Sequence, residues 1–332
     1  MTLRRTKMSK KKKIIIGIIS AIILILIGGL AFLGNYFFNY ALVRQEGIVT
    51  QANVDPKAPQ SVETSTEIVN KKKSKEDVEN WLKYVNSKET TIVSNDGIKL
   101  WGKLYLQNNK SDKWVIVAHG YTSSHEDVQP IALNFYNQGY NVLTPDMRAH
   151  GNSEGKYIGM GWLDRKDMLL WIDYVLSLDS NSQIVLYGES MGGATVMMTS
   201  GEELPSNVKA IVEDCGYTSV QEMFEAQLYE RFGLPPFPIL NAAELVTNLK
   251  AKYNFHEASA LEQVKKSKTP MLFTHGGNDT YVPTEMIYRL YEAASCEKDI
   301  LVIDGAGHGS APDIDPETYY EKVFSFLNKY VN

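Results

Sequence analysis

The chain has 332 residues, 44% of them hydrophobic and 22% charged, which suits a globular protein with one large domain and an appendage. Residues 1–13 carry seven positive charges (Arg4, Arg5, Lys7, Lys10, Lys11, Lys12, Lys13) and no acid; removing them from the net −5 leaves the remaining chain at −12. An acidic bulk argues against nucleic acid as a partner. The two cysteines, Cys215 and Cys296, have no Cys-x-x-Cys spacing and suggest neither a zinc site nor a redox motif.

Residues 14–33 are uncharged and apolar on every face. Twenty residues at about 1.5 Å rise span about 30 Å, the thickness of a bilayer's hydrocarbon core. The run exceeds the about 7–15 apolar residues of a cleaved signal, and no small-x-small site follows it. A retained anchor over residues 14–36 is therefore expected. The basic cluster 1–13 before it predicts a cytoplasmic tail, an extracytoplasmic remainder and a single-pass, cell-surface protein. Tyr36, Phe37, Phe38 and Tyr40 suit the outer interface, where aromatic rings sit at headgroup level. Residues 37–73 are expected to form a stalk, being polar beyond Arg44, with Pro56 and Pro59. A short amphipathic helix over 74–87 opens the domain 74–332, with Ser74 as its cap and Val78, Trp81, Leu82 and Val85 at helical spacing.

From residue 89 strand and helix patterns alternate. A hairpin over 90–93 and 98–106 turns at Asn95-Asp96-Gly97. Strands are expected at 114–118, 141–144, 183–187, 209–213, 270–274 and 300–303, and helices at 128–137, 163–178, 191–200, 284–294 and 316–330. Alternation of this kind builds a mostly parallel sheet covered by helices on both faces. Between residues 213 and 271 the rhythm breaks. Leu234-Pro235-Pro236-Phe237-Pro238 interrupts helical patterns there, and residues 217–255 read as a small helical cap. Its Met223, Phe224, Leu228, Phe232 and Phe237 could line an acyl pocket or simply pack cap onto core.

Chemistry is concentrated at Gly188-Glu189-Ser190-Met191-Gly192. Apolar β-formers lead in and a helix-compatible run leads out, so Ser190 sits at the apex of a strand–turn–helix. Gly188 and Gly192 occupy positions where a side chain would meet neighbouring backbone. This is the G-x-S-x-G nucleophile-elbow signature. A serine hydroxyl needs a base and the base an orienting carboxylate. His308, between Gly307 and Gly309 after the last strand, is the expected base. Asp279, after the strand 270–274, is the expected acid, with Asp214 as the second candidate. The backbone N–H groups of Met191 and Tyr121 are the expected oxyanion donors. His119, His150 and His275 read as structural. The stretch 146–155 lacks phosphate-loop spacings and reads as a surface turn beside the site. No cluster has metal-ligand spacing, and no metal or other cofactor is implied.

Together these residues resemble the α/β-hydrolase fold family over roughly residues 88–331: His119-Gly120, the 146–153 loop, the elbow, Gly277-Asn278-Asp279-Thr280-Tyr281-Val282-Pro283 and Gly307-His308-Gly309. Within it, the chain is similar to bacterial serine hydrolases that include membrane-anchored, esterase-like and serine-aminopeptidase-like members. The resemblance implies an eight-stranded sheet with an antiparallel second strand, and a Ser190–His308–Asp279 triad. Tyr121 departs from the His-Gly-Gly-Gly lipase branch, which weakens any expectation of bulky tertiary-alcohol esters. In the family's strand order Cys215 and Cys296 fall at opposite sheet ends, which implies two free thiols. The expected function is a membrane-anchored carboxylesterase acting on small acyl esters. A serine peptidase or amidase on peptide-like substrates is the alternative, and a non-catalytic surface binding protein on a hydrolase scaffold is a third reading.

Overall fold

The computed structural model describes residues 9–44 and 63–332. Arg4, Arg5, Lys7 and residues 45–62 of the expected stalk lie outside them. The elements are, in chain order, α1 (Lys10–Leu42), α2 (Ser65–Trp81), β1 (Asn86–Val93), β2 (Lys99–Leu106), β3 (Lys113–Ala118), α3 (Gln129–Asn137), β4 (Asn141–Pro145), α4 (Asp164–Leu178), β5 (Gln183–Glu189), α5 (Met191–Thr199) and β6 (Val208–Asp214). Then follow α6 (Val220–Phe232), α7 (Pro236–Ala251), α8 (Ala260–Val264), β7 (Met271–Gly276), α9 (Glu285–Ala293), β8 (Lys298–Ile303), α10 (Ala311–Ile314) and α11 (Pro316–Leu327).

The eight strands form one sheet in the order β1-β2-β4-β3-β5-β6-β7-β8. β2 pairs antiparallel with both β1 and β4, and the remaining pairs are parallel. Continuous apolar runs make β3, β4 and β5 central because both their faces are covered. One core layer holds Ile116, Leu186, Ile211 and Phe273 under α4 and α5; the other holds Val117, Val185, Val212 and Leu272 under α3 and α11. This is the α/β-hydrolase fold expected from the sequence, with α6 and α7 in the stretch read as a cap. Cys215 and Cys296 are both free thiols.

Two helices overrun the expected stalk. α2 begins nine residues before Ser74, because Thr64 accepts from the Glu67 N–H and caps it. Lys71 pairs with Glu67 one turn on, and the Asn70 amide donates to the Asp313 carbonyl, tying this polar helix to the domain. At the other side α1 continues to Leu42, and its last turns belong to the core. Phe37, Phe38 and Leu42 are buried with the cap residues Leu228, Ile239 and Leu240. Phe37 and Phe38 therefore do not stand at a lipid interface, as their position in the sequence suggested. They meet an apolar cap surface first. Gly34 allows the approach: a Cβ there would lie 2.6 Å from the Ala242 carbonyl on α7. Beyond the helix, Ile158 and Arg44 donate backbone N–H groups to the carbonyls of Leu42 and Lys156, at 2.8 and 2.9 Å. The tail of the apolar helix is thus a packed element and not a free tether.

Truncating Phe38, which is 1% exposed, should show this. Phe38→Ala in the full chain is expected to cost about 3–5 kcal/mol. Thermal unfolding in detergent measures it, and an unchanged midpoint would mean that α1 is only loosely held.

Candidate active site

The elbow is built by close backbone contacts. A Cβ at Gly188 would sit 2.1 Å from the Gly192 carbonyl oxygen, and one at Gly192 would sit 2.1 Å from that of Ala118. Only glycine lets the start of α5 press onto β5 and β3. Ser190 between them has φ 56° and ψ −114°, a sparsely populated conformation for a side-chain-bearing residue. Its N–H donates to the Asp214 carbonyl at 2.7 Å, and its own carbonyl accepts from Ala194 in the first turn of α5.

Three loops from the C-terminal ends of β5, β7 and β8 converge on the Ser190 hydroxyl. His308 Nε2 lies 2.8 Å from Ser190 Oγ, and His308 Nδ1 lies 2.7 Å from Asp279 Oδ2. Asp279 Oδ1 accepts the backbone N–H groups of Tyr281 and Val282, both at 2.9 Å. Burial alone would push the Asp279 carboxyl up, but the His308 charge and hydrogen bonds from His275 and His308 outweigh it and hold it far below the usual range. The structure thus brings Ser190, His308 and Asp279 together.

Asp214, the other candidate acid, lies apart from His308. It is fully buried and accepts the hydroxyls of Tyr187 and Tyr319 at 3.0 and 2.8 Å. Burial pushes its carboxyl up despite those bonds. Met191 follows Ser190, and Tyr121 follows Gly120, where a Cβ would lie 3.4 Å from Ser190 Cβ; among the described residues neither N–H donates to a protein acceptor. Both remain available to an oxyanion.

The loop that carries Tyr121 is held by three groups. His119 donates from Nδ1 to the Gly120 carbonyl and accepts the Met147 N–H at Nε2. His150 accepts the Thr122 N–H at 3.1 Å and donates to the Arg148 carbonyl. Burial lowers the basicity of both rings, to about 3 for His150, so they stay neutral hydrogen-bonding scaffolds. The third group is the Ala41 carbonyl of α1, which accepts the Tyr121 hydroxyl at 2.9 Å. The 146–153 loop is consequently not a surface turn. Asp146, Arg148, His150 and Ser153 are buried, because they brace this loop and the start of β2.

Three neighbours were not visible in the spacing. His275 Nε2 lies 3.0 Å from the Val282 carbonyl and 3.2 Å from Asp279 Oδ2, so its N–H is shared between them. The Tyr281 ring packs on His308 at 4.8 Å, and the Arg231 guanidinium lies 5.6 Å from the Tyr281 ring. Only the His-Gly-Gly-Asn-Asp-Thr-Tyr string itself, which puts both rings within four residues of Asp279, could have pointed to them. Ligand atoms of Cys215, Asp279 and His308 lie within 4.8 Å of one another. Burial keeps the Cys215 thiol protonated, and Asp279 already holds His308, so the trio is poorly suited to a metal.

Of the two readings of the cap residues, packing of cap onto core describes most of them. Phe237 is 75% exposed. Phe232 packs edge-on against Phe37 and Tyr40 of α1, at 5.2 and 5.6 Å, and Phe224 packs against Phe255. Met223 and Leu228 are ordinary core.

The fold and this cluster define a hydrolase of the α/β type. The chain has the α/β-hydrolase fold and is similar to proteins of that family. The serine aminopeptidase (S33) family profile matches residues 109–256. The esterase Pf2001 of Pyrococcus furiosus superposes with a TM-score of 0.61 at 26% identity, over 82% of this chain and 99% of that one. The YqkD protein of Bacillus subtilis is 27% identical over 64% of this chain and 70% of its own length. The membrane protein YNL320W of Saccharomyces cerevisiae is 26% identical over 71% and 78%.

Asp279→Asn should lower ester turnover by about 10³–10⁴-fold, because the ring loses the partner that fixes its tautomer. Asp214→Asn should cost far less in turnover and more in melting temperature. The opposite ranking on folded variants would assign the acid to Asp214.

Proposed function

We propose that the protein is a membrane-anchored serine esterase. The observation that carries this is the hydrogen-bonded series Ser190–His308–Asp279 on a strained elbow. Ser190 Oγ attacks the ester carbonyl while His308 Nε2 takes its proton, and the Met191 and Tyr121 N–H groups receive the developing oxyanion. Asp279 stabilises the imidazolium. The proton passes to the leaving alkoxide, and water attacks the acyl-enzyme by the same base to release the acid. The Pyrococcus esterase supports ester over amide chemistry, and the S33 profile keeps a peptidase or amidase as the second reading.

A fluorophosphonate probe should label the wild-type chain and not Ser190→Ala, and the same substitution should abolish hydrolysis of p-nitrophenyl acetate. Labelling that survives in a folded Ser190→Ala chain would place the nucleophile elsewhere. Comparing short nitrophenyl esters with aminoacyl amides separates esterase from peptidase.

The apolar part of α1 is long enough to cross a bilayer, as an anchor or as a signal sequence, and its residues 14–29 are all exposed. We read it as a retained span with the basic residues on the cytoplasmic side and the hydrolase domain outside. The division into tail, span and domain is part of this reading, with the domain now taken to include the last turns of α1. A phosphatase that is active only outside the cytoplasm, fused after Asn332, should be active in cells. An inactive but intact fusion would reverse the topology.

A further inference from the structure

α1 is one uninterrupted helix from the exposed apolar run to the edge of the active site. That continuity fixes a height. The apolar run ends at Leu33, and Ala41, whose carbonyl holds the Tyr121 hydroxyl, follows eight residues later. Eight residues of helix rise about 12 Å. A headgroup layer is about 5–8 Å deep on each side of the hydrocarbon. Tyr40, the residue before it, meets the Arg231 guanidinium at 3.3 Å and the Phe232 ring, and Arg231 in turn lies against Tyr281, which packs on His308. Both walls of the site are therefore pinned to the turn of α1 just above the bilayer.

The cap supplies a second contact with the same plane. α7 touches α1 where Ala242 meets Gly34, the first residue beyond the apolar run. Leu245 and Leu249 stand three and seven residues after Ala242, so they share its face of the helix and flank the crossing. They are 62% and 66% exposed, and Phe237 at the start of α7 is 75% exposed. Tyr229 and Tyr36 lie exposed nearby in α6 and α1, and Lys250 reaches the Asn35 side chain. Large apolar side chains with aromatic and lysine neighbours on one exposed helix face are the pattern of a helix lying in the interface plane.

We propose that the outer face of α7 rests on the bilayer, continuous with α1, and that the site takes its ester from the membrane. The substrate class is an acyl lipid whose chain stays among the lipids while its carbonyl rises to Ser190. This rests on reading α1 as a span and Ser190 as the nucleophile. A short soluble ester reaches Ser190 without touching α7.

The test uses the full chain in phosphatidylcholine–phosphatidylglycerol vesicles containing lipid brominated near the carbonyl end of its chains. Leu249→Trp should add fluorescence that this lipid quenches, as should the control Phe32→Trp within the apolar run. Leu245→Glu/Leu249→Glu should lower hydrolysis of vesicle-borne monoolein at least about tenfold, as expected for losing buried leucine contacts, and leave p-nitrophenyl acetate hydrolysis unchanged. Quenching of Phe32→Trp without Leu249→Trp would overturn the proposal while keeping α1 in the bilayer. Quenching of neither would overturn both. An equal loss on the two esters would overturn the supply of substrate from the membrane, and wild-type inactivity on the acetate would instead sink the esterase reading.

Discussion

The site depends on how closely one turn of backbone can approach its neighbours. Gly192 presses the start of α5 against the Ala118 carbonyl, and Gly188 accepts the returning chain at the same distance. Those approaches force Ser190 to positive φ, which costs of order 1–3 kcal/mol. The cost is offset because every residue of α5 is buried and the neighbouring strands have apolar, buried centres. The same approach brings the Met191 N–H, at the positive end of α5, beside the loop after β3.

Charge is distributed with similar economy. Glu213, Asp214 and Asp279 lie buried, and Glu189 half-buried, around the ends of β5, β6 and β7. Burial raises Glu189 and Glu213 to about 8, which favours their neutral forms at neutral pH, and pushes Asp214 up. Glu189 borders Gly120 and Gly309, so a negative charge there would oppose an oxyanion on Ser190. Asp279 is held ionised, because two histidines and two backbone N–H groups face it.

Much of this was legible because it is local. G-x-S-x-G reports a backbone constraint within five residues, and strand alternation reports burial on two faces, so the sheet, the elbow, Asp279 and His308 could be read in order. The choice of Asp279 over Asp214 rested on turn residues, and the buried tyrosine pair on Asp214 gives the physical reason for it. What could not be read was long-range partnership. Nothing near Phe38 in sequence says that it meets α7 and not lipid, since both are apolar. Thr64, Asn70 and Lys71 look like linker until Glu67 and the Asp313 carbonyl are seen to hold them. The 146–153 loop looked exposed because its residues are polar, yet their partners are 20 or more residues away.

Under the proposed reading of α1 as a membrane span, its packing changes what an anchor can do. A free stalk over residues 37–73 would let the domain wander about 30–35 Å from its point of attachment, the end-to-end distance of a flexible chain of that length. Held by Gly34, Phe37, Phe38 and Leu42 instead, the domain keeps one orientation relative to the helix axis. A tether confines a soluble enzyme near a surface, whereas a packed helix presents one face of it. The presented face here carries the cap and the loops of Tyr121 and Tyr281. Mutations along the α1–α7 contact should therefore act on the site through Tyr121 and Arg231, although none of the residues in that contact touches Ser190.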